Sequence, residues 1–271
     1  MQSWRLFVRV MLARSYPRII CLRRLPGWIA LETVLPVLAV SALAFVYRAL
    51  HAPEEYLGYV VLGGAMTAFW LNVIWSMGAQ LYWDREEGNL ELFMVAPCSL
   101  MAILAGMALG GMAMTFVRAG AIVLAGKLFF GLVFAPTSWW ALLGVFLLTL
   151  FALYGLGMVF ASAFLWWGRQ ALHVIGLMQE PVYLLSGLNF PVRTLGTAVA
   201  SGASLLPLTA GVDAMRQILF PRFASQGLMP VGVEAAILAG LGLIFIVVAR
   251  ILLRRIEKIS RQEGRLTVRW L

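Results

Sequence analysis

The sequence predicts an all-α integral membrane protein with six transmembrane helices. Of its 271 residues, 62% are hydrophobic and only 12% are charged, whereas soluble domains carry about 25% charged residues. Apolar runs recur at lengths near the roughly 20 residues that a helix needs to cross a bilayer. Three further elements accompany these spans: an N-terminal amphipathic helix, a short acidic helix on the cytoplasmic side, and a re-entrant helical hairpin on the outer side.

Residues 1–27 form a basic leader, in which six arginines lie among aromatic and aliphatic side chains. This mixture is typical of an amphipathic helix in the membrane interface, and a basic tail that sets topology would occupy the same place. The length of the leader, with Glu32 and Pro36 inside the following apolar run, disfavours a cleaved signal peptide. We therefore expect the first apolar run to be retained as a span.

The runs assigned as spans are, by residue number, 28–48, 57–82, 100–125, 139–164, a fifth from about 171, and 230–253. Tryptophan pairs at both ends of the fourth run match the aromatic belts of membrane proteins. The basic leader and the basic tail at 254–271 place both chain ends in the cytoplasm by the positive-inside rule. An even number of spans is thus required, and six fits.

The segment 84–97 is net negative although it is predicted to face the cytoplasm. Three carboxylates crowd its start, where the helix dipole favours negative charge. Leu90, Phe93 and the methionine after Phe93 give one apolar face, Pro97 ends the helix, and Ser99 is placed to cap the next one. We interpret this segment as a single short helix that docks onto a soluble partner.

Segment 180–229 is predicted to be irregular. Glu180-Pro181 is expected to interrupt the fifth span, and the two apolar pieces 192–205 and 208–220 are too short to cross. Broken helices at membrane depth are tolerated only against protein or a water-filled cavity. We therefore predict a re-entrant hairpin at 192–220.

Ionisable residues inside the predicted spans are candidates for function, because a charge there costs roughly 2.5–3.5 kcal/mol on insertion scales. Glu32, Arg118 and Glu180 either line a substrate path or serve structure, for example through a Glu32–Arg118 pair that joins two helices. Glu180, beside the predicted break, is the strongest path candidate. Gly106 and Gly110 form a G-x-x-x-G motif, which serves either packing within the subunit or a dimer seam.

Several classes of chemistry find no support in the sequence. Cys21 and Cys98 are both predicted to be cytoplasmic and unpaired, and with His51 and His173 far apart they make no metal site. A G-x-x-x-x-G-K-[ST] phosphate loop is missing, so any ATP that drives this protein binds another chain. No nucleic-acid motif accompanies the net charge of +9, and the cations suit anionic lipid headgroups.

Three motifs, in this order, resemble those of type-2 ABC transporter permeases, the membrane subunits of drug, antibiotic and polysaccharide exporters. The first is R-E-x-G-x-L-E-x-F from Arg85, with a proline after it; Asn89 stands where the family usually has threonine. The second is S-G-x-x-F-P from Ser186, and the third is P-L-T from Pro207, with Arg216 downstream. With the leader and six spans, the resemblance covers essentially the whole chain.

The resemblance implies a permease that forms its path as a dimer, with a second copy or a homologous permease, in a bacterial inner membrane. The acidic helix would be a coupling helix seated in a separate cytoplasmic ABC ATPase, which would hold ATP and magnesium. The leader would be the interface helix, and the hairpin would gate the outer mouth. Residues assigned to ATPase coupling are Arg85, Glu86, Gly88, Leu90, Glu91, Phe93 and Pro97. Residues assigned to the path or gate are Glu32, Arg118, Glu180, Ser186, Gly187, Phe190, Pro191, Pro207 and Arg216.

The cargo is expected to be hydrophobic or amphipathic (a lipid, a drug or a glycan-linked molecule), because the spans hold few fixed charges. One alternative is an ion-coupled carrier or channel, which would place charges on several facing spans or show inverted repeats. Another is a membrane-embedded lipid-modifying enzyme, which would need paired acids, a His–Asp pair or a Ser–Lys pair at one depth.

Overall fold

The computed structural model describes residues 4–96, 98–221 and 227–263, and this part of the chain is helical with no strand. The predicted all-α membrane fold is confirmed. The helices are α1 Trp4–Arg24, α2 Pro26–Ala49, α3 Glu54–Leu71, a π segment Asn72–Gly78, α4 Ala79–Glu86, α5 Asn89–Val95, α6 Leu100–Phe130, α7 Trp139–Trp167, α8 Arg169–Leu185, a 3₁₀ turn Val192–Leu195, α9 Thr197–Ala203, α10 Pro207–Leu219 and α11 Val231–Glu263.

Five stretches of the described chain are long and apolar enough to cross a membrane. They are Pro26–Ala49, Glu55–Glu86, Leu100–Phe130, Trp139–Trp167 and Val231–Ile259. A sixth arises if α9 and α10, which meet at a bend of 109°, are counted as one span. The fifth predicted span falls on α8, whose 17 residues extend about 26 Å at 1.5 Å per residue. That is shorter than the roughly 30 Å of a bilayer core.

The predicted interruption at Glu180-Pro181 is wrong. Helix α8 continues through Pro181 and ends at Leu185, and the exposed Glu180 lies inside it. A proline removes one backbone hydrogen bond, and in membrane helices that loss is tolerated without ending the helix. The chain instead turns at 186–191, before the short helical pieces that lead into α10.

Helices α3 and α4 form one continuous span through the π segment. Asn72, at its start, is 2% exposed, and its side-chain oxygen accepts a hydrogen bond of 2.9 Å from the Tyr154 hydroxyl of α7. Gly111 of α6 faces the same amide, and a Cβ there would lie 2.5 Å from its oxygen. The π segment therefore sits where three helices meet around one buried polar contact.

The G-x-x-x-G pair of α6 packs against α1 of the same chain. A Cβ at Gly106 would lie 2.6 Å from the Met11 carbonyl oxygen, and one at Gly110 would lie 3.1 Å from the Ser15 carbonyl oxygen. The two glycines allow close approach of the helices. Of the two uses that the sequence left open, packing within the subunit is the one observed.

The helices define two ends of the molecule. Helix α5, the end of α7 and the start of α6 lie at one end, called here the α5 end. Helix α10, the turn at 186–191 and the start of α3 lie at the other, called the α10 end. Hydrogen bonds described below tie the elements together at each end.

Candidate functional site

The acidic segment between the second and third spans consists of two helices, so the prediction of a single helix is wrong. Helix α4 ends at Glu86, and Gly88 then adopts a φ of +81° before α5 begins. Glycine takes this left-handed conformation at no steric cost, which makes it a common helix terminator. Pro97 lies outside the described residues, whereas Ser99 caps α6 as predicted, its hydroxyl accepting a hydrogen bond from the Ala102 N–H.

The predicted apolar face of α5 packs against its own protein. Leu90 is only 2% exposed, and Phe93 is half-buried beneath the Arg14 guanidinium of α1, 5.0 Å from its ring centroid. Cations are attracted to aromatic faces, which adds to the burial of apolar area. This face therefore holds α5 onto the membrane helices, which leaves only the opposite face free for a partner.

The opposite face is acidic at its edges and apolar between them. Glu86, Glu87 and Glu91 are exposed, and Leu92 and Val95 are 68% and 88% exposed. Surface leucine and valine side chains in such numbers on a seven-residue helix favour contact with another protein. We call these five residues the coupling surface.

Helix α4 is joined to α1 by buried charge. Asp84, 3% exposed, forms an ion pair with Arg14 and accepts a hydrogen bond of 3.4 Å from the Gln80 amide. Arg18 donates to the Gln80 oxygen at 3.3 Å and to the Met107 carbonyl at 3.4 Å. Two leader arginines thus serve internal contacts, while Arg5, Arg9, Arg23 and Arg24 remain exposed for lipid headgroups.

Two further contacts join the α5 end to the long helices. Arg85 donates a hydrogen bond of 3.2 Å to the Leu165 carbonyl, in the last turn of α7. The Leu100 N–H, at the start of α6, donates one of 2.8 Å to the carboxylate of Glu257 on α11. Both bonds satisfy groups that a helix end leaves unpaired. The segment is therefore fixed to α1 and α7 on its inner side, and the start of α6 is bonded to α11.

Both cysteines are free and half-buried. Burial raises the pKa of the Cys98 thiol, and the nearby Glu257 carboxylate raises it further. This thiol is therefore kept protonated and is a poor nucleophile. Within the described chain, no group of three or more His, Cys, Asp or Glu residues is arranged to hold a metal ion.

At the α10 end, Arg216 binds the turn at 186–191. This side chain is 3% exposed, and its guanidinium donates to the carbonyls of Gly187 at 2.6 Å and Phe190 at 3.0 Å, and also to that of Leu188. It lies 4.5 Å from the centroid of the Tyr59 ring of α3. The second and third sequence motifs therefore form one structural unit, with arginine as the donor that the turn requires.

The other predicted gate residues have local roles. Ser186 is 1% exposed, and Gly187 has a φ of +58°, which permits the turn. Pro191 precedes the 3₁₀ turn, and Pro207 occupies the first turn of α10, where its missing N–H costs nothing. These residues lie with Phe190 and Arg216 at one end of the molecule.

Glu32, Arg118 and Glu180 do not join this unit. Glu32 of α2 and Arg118 of α6 form an ion pair with each other, with side chains 29% and 19% exposed. The pair connects two helices, as one of the sequence alternatives stated. Glu180 is exposed and lies inside the unbroken helix α8.

A buried polar cluster that the sequence patterns did not predict binds α10 to α11. The Gln217 amide donates to the carboxylates of Asp213 and Glu234, both at 3.1 Å, and to the Met229 carbonyl at 2.7 Å. The Leu228 N–H donates to Asp213 at 2.7 Å. Asp213 and Glu234 are 6% and 1% exposed, so the pair is closed to substrate and does not supply the accessible paired acids of a lipid-modifying enzyme.

The sequence contains only a weak indication of this polar cluster. Asp213 and Gln217 are four residues apart and share one face of α10. Glu234 is the acidic residue in the first turn of the last span, 21 positions from Asp213. Only the packing of α10 against α11 brings them together, and no spacing rule encodes that packing.

An all-helical chain with membrane-length spans, an acidic and apolar surface at one end and an arginine-braced turn at the other defines a polytopic membrane protein of the transport class. Residues 9–220 match the family model described as ABC-2 type transporter, which begins in α1 and ends just after α10. The chain therefore belongs to the ABC-2 type transporter family and is a permease component of an ABC transporter. Comparison with curated proteins gives no match.

Proposed function

We propose that this chain is the permease subunit of an ATP-driven exporter and that its coupling surface seats in a separate cytoplasmic ATPase. The observation that carries the proposal is the two-sided character of α4 and α5. One side is fixed to the membrane helices through Asp84, Arg85 and Leu90, while the other exposes carboxylates and aliphatic groups. A segment held firmly from behind and exposed in front is suited to receive force from a partner.

The chemistry of the coupling surface specifies its complement. Leu92 and Val95 require an apolar floor, and Glu86, Glu87 and Glu91 require basic groups at the rim of the groove. Aromatic and aliphatic anchors at the centre with charges at the rim are the usual anatomy of a protein interface. The partner would hold ATP and magnesium, because this chain has no phosphate-binding loop.

The contacts behind the coupling surface give the route by which a push would reach the membrane. The Arg14–Asp84 pair moves α1 with α4, and the Arg85 bond moves the end of α7. The continuous α3–α4 span then carries the displacement towards the turn that Arg216 holds. ATPase closure would in this way shift both ends of the path.

Two copies are proposed to enclose the path, with both termini and the α5 end in the cytoplasm of a bacterium. Only 6% of the most apolar 18-residue stretch of α2 is buried within one subunit, so this helix is available to contact a second copy. The cargo is proposed to be hydrophobic or amphipathic. The one ion pair found between described spans, Glu32–Arg118, is internally neutralised and offers little to a small ion.

The test is a double charge reversal, Glu86→Arg with Glu91→Arg, in a subunit co-expressed with its ATPase and purified in mild detergent. Mass spectrometry first identifies the ATPase that co-purifies with the wild-type chain at about one per subunit. We expect the double variant to insert and fold, because both side chains are exposed, but to lose at least nine-tenths of the bound ATPase.

The matched control is Glu55→Arg, a charge reversal at the α10 end, which should leave the ATPase bound. A double variant that retains the ATPase and stimulates ATP hydrolysis as the wild type does would refute the docking assignment. Failure of the wild-type chain to capture any ATPase would refute the exporter function itself.

A further inference from the structure

A lateral groove opens between α3, α6 and α7, and its lining includes no residue of the coupling surface and none of residues 186–191. It has a volume of about 470 Å³ and is almost wholly apolar. Its floor is a mutually contacting cluster, with ring centroids 5.3 Å apart for Phe69–Phe116, 5.5 Å for Phe69–Phe146 and 5.9 Å for Phe116–Phe146. We call this the phenylalanine groove.

One wall of the phenylalanine groove is a stripe along α6. Phe116, Gly120, Val123, Leu124 and Lys127 line it at spacings of three and four residues, which place them on one helix face. Phe116 and Leu124 are 49% and 55% exposed, so the stripe opens to the membrane side. Gly120 leaves a gap in this wall, because a Cβ there would meet no atom within 4 Å.

Lys127 provides the only charge in the lining of this groove. It lies in the last turn of α6, is exposed, and makes no hydrogen bond or ion pair with the side chains that the structure describes. The exposed Trp139 and Trp140, which open the next helix at the same end, mark the level of lipid headgroups. An unpaired cation at headgroup level is complementary to an anionic headgroup.

The length of the groove matches one leaflet. Phe116 and Lys127 are 11 residues apart, which corresponds to about 16 Å along the helix. Half of a roughly 30 Å hydrocarbon core is about 15 Å. A chain anchored at Lys127 would therefore reach the bilayer midplane at the level of Phe116.

We propose that the phenylalanine groove binds one acyl chain of an anionic membrane phospholipid, whose headgroup pairs with Lys127. The fit rests on three independent features: an apolar floor that needs covering, a length of one leaflet, and an otherwise unpartnered cation at the mouth. The proposal concerns a resident lipid of the permease and does not depend on the ATPase docking proposed above.

The test uses the full chain in nanodiscs and two photoactivatable lipids, a phosphatidylglycerol and a phosphatidylcholine with the same diazirine-bearing acyl chain. Labelled peptides are mapped by mass spectrometry. We expect the phosphatidylglycerol probe to label residues 62–69 and 116–127 at least fivefold more than the phosphatidylcholine probe does. Equal labelling by the two probes would overturn the proposal, as would cross-links from these peptides to a second copy in place of lipid.

Two matched pairs of variants locate the site. Gly120→Leu fills the groove, whereas Gly144→Leu adds the same side chain to an exposed position of α7 that is equally open but outside the groove. We expect Gly120→Leu to reduce labelling at least fivefold and Gly144→Leu to leave it unchanged. Lys127→Gln should bring the ratio between the probes to about one, while Arg48→Gln, at an exposed cation outside the groove lining, should not.

Wild-type labelling in Gly120→Leu, or an unchanged probe ratio in Lys127→Gln, would overturn the proposal. Folding of each variant is checked by circular dichroism and gel filtration. Gly120→Leu should pass, since leucine favours a helix over glycine and the added Cβ meets open space. If it does not, the Lys127 and Arg48 pair decides the question alone.

Discussion

Replacing Arg216 by alanine should destabilise the α10 end far more than a typical surface substitution does. The two bonds to the Gly187 and Phe190 carbonyls, at 2.6 and 3.0 Å, each involve a charged donor. Such bonds contribute about 1.5–3 kcal/mol apiece, so their loss costs about 3–6 kcal/mol of unfolding free energy. The contacts to Leu188 and Tyr59 are left out of this sum because neighbouring bonds do not add fully.

The assay is unfolding in mixed micelles of mild detergent and dodecyl sulfate, followed by circular dichroism. Hydrogen exchange of residues 186–191 adds a local readout and should accelerate in Arg216→Ala. Arg216→Lys should recover about half of the loss, because an ammonium keeps the charge but lacks the planar fork that reaches several carbonyls. Arg48→Ala, at an exposed arginine of α2, is the control and should fall within about 0.5 kcal/mol of wild type. An Arg216→Ala loss below about 1 kcal/mol would refute the assigned role.

Three further substitutions have defined outcomes. Gly63→Ala should lower the melting temperature and speed hydrogen exchange of residues 186–191, because the added Cβ would lie 1.8 Å from the Leu188 carbonyl oxygen. An unchanged melting curve would contradict the close packing of Gly63 on Leu188. Gln217→Glu should lower the melting temperature, because Asp213 and Glu234 lose the amide donor that they share and a third carboxyl is buried beside them, with Gln217→Met as the milder comparison. Asp84→Asn should weaken the ion pair that joins α4 to α1, so α1 should exchange its amide hydrogens faster while ATPase binding survives. Loss of ATPase binding with unchanged exchange of α1 would argue against the role of Asp84 in holding α4 to α1.

The elements that were predictable from the sequence are those whose signal is local. Apolar runs of bilayer length and the serine cap at Ser99 follow from nearest-neighbour chemistry, and the structure has them within a few residues. The ion pair of Glu32 with Arg118 was foreseen as one alternative, because a charge inside a span needs a partner.

The elements that were mispredicted depend on context. Pro181 was expected to break α8, but a single lost hydrogen bond does not end a helix held by its neighbours. Gly88 was absorbed into one acidic helix, although its freedom at positive φ is what divides the segment. The apolar face at Leu90 was assigned to a partner, yet whether a face packs inward or outward depends on α1, which lies some 80 residues earlier.

The π segment Asn72–Gly78 has a consequence for how its span can move. A π turn holds one residue more per hydrogen-bonded loop than an α turn, and one residue corresponds to about 100° of helical rotation. The stretches on either side therefore have independent rotational phases. The rotation of the stretch before the π segment is fixed by the packing of Gly63 on the Leu188 backbone. The rotation of the stretch after it is fixed by the ion pair of Asp84 with α1. Exchange of π for α hydrogen bonds over these seven residues would let one stretch rotate against the other, while the continuous span still transmits displacement along its axis.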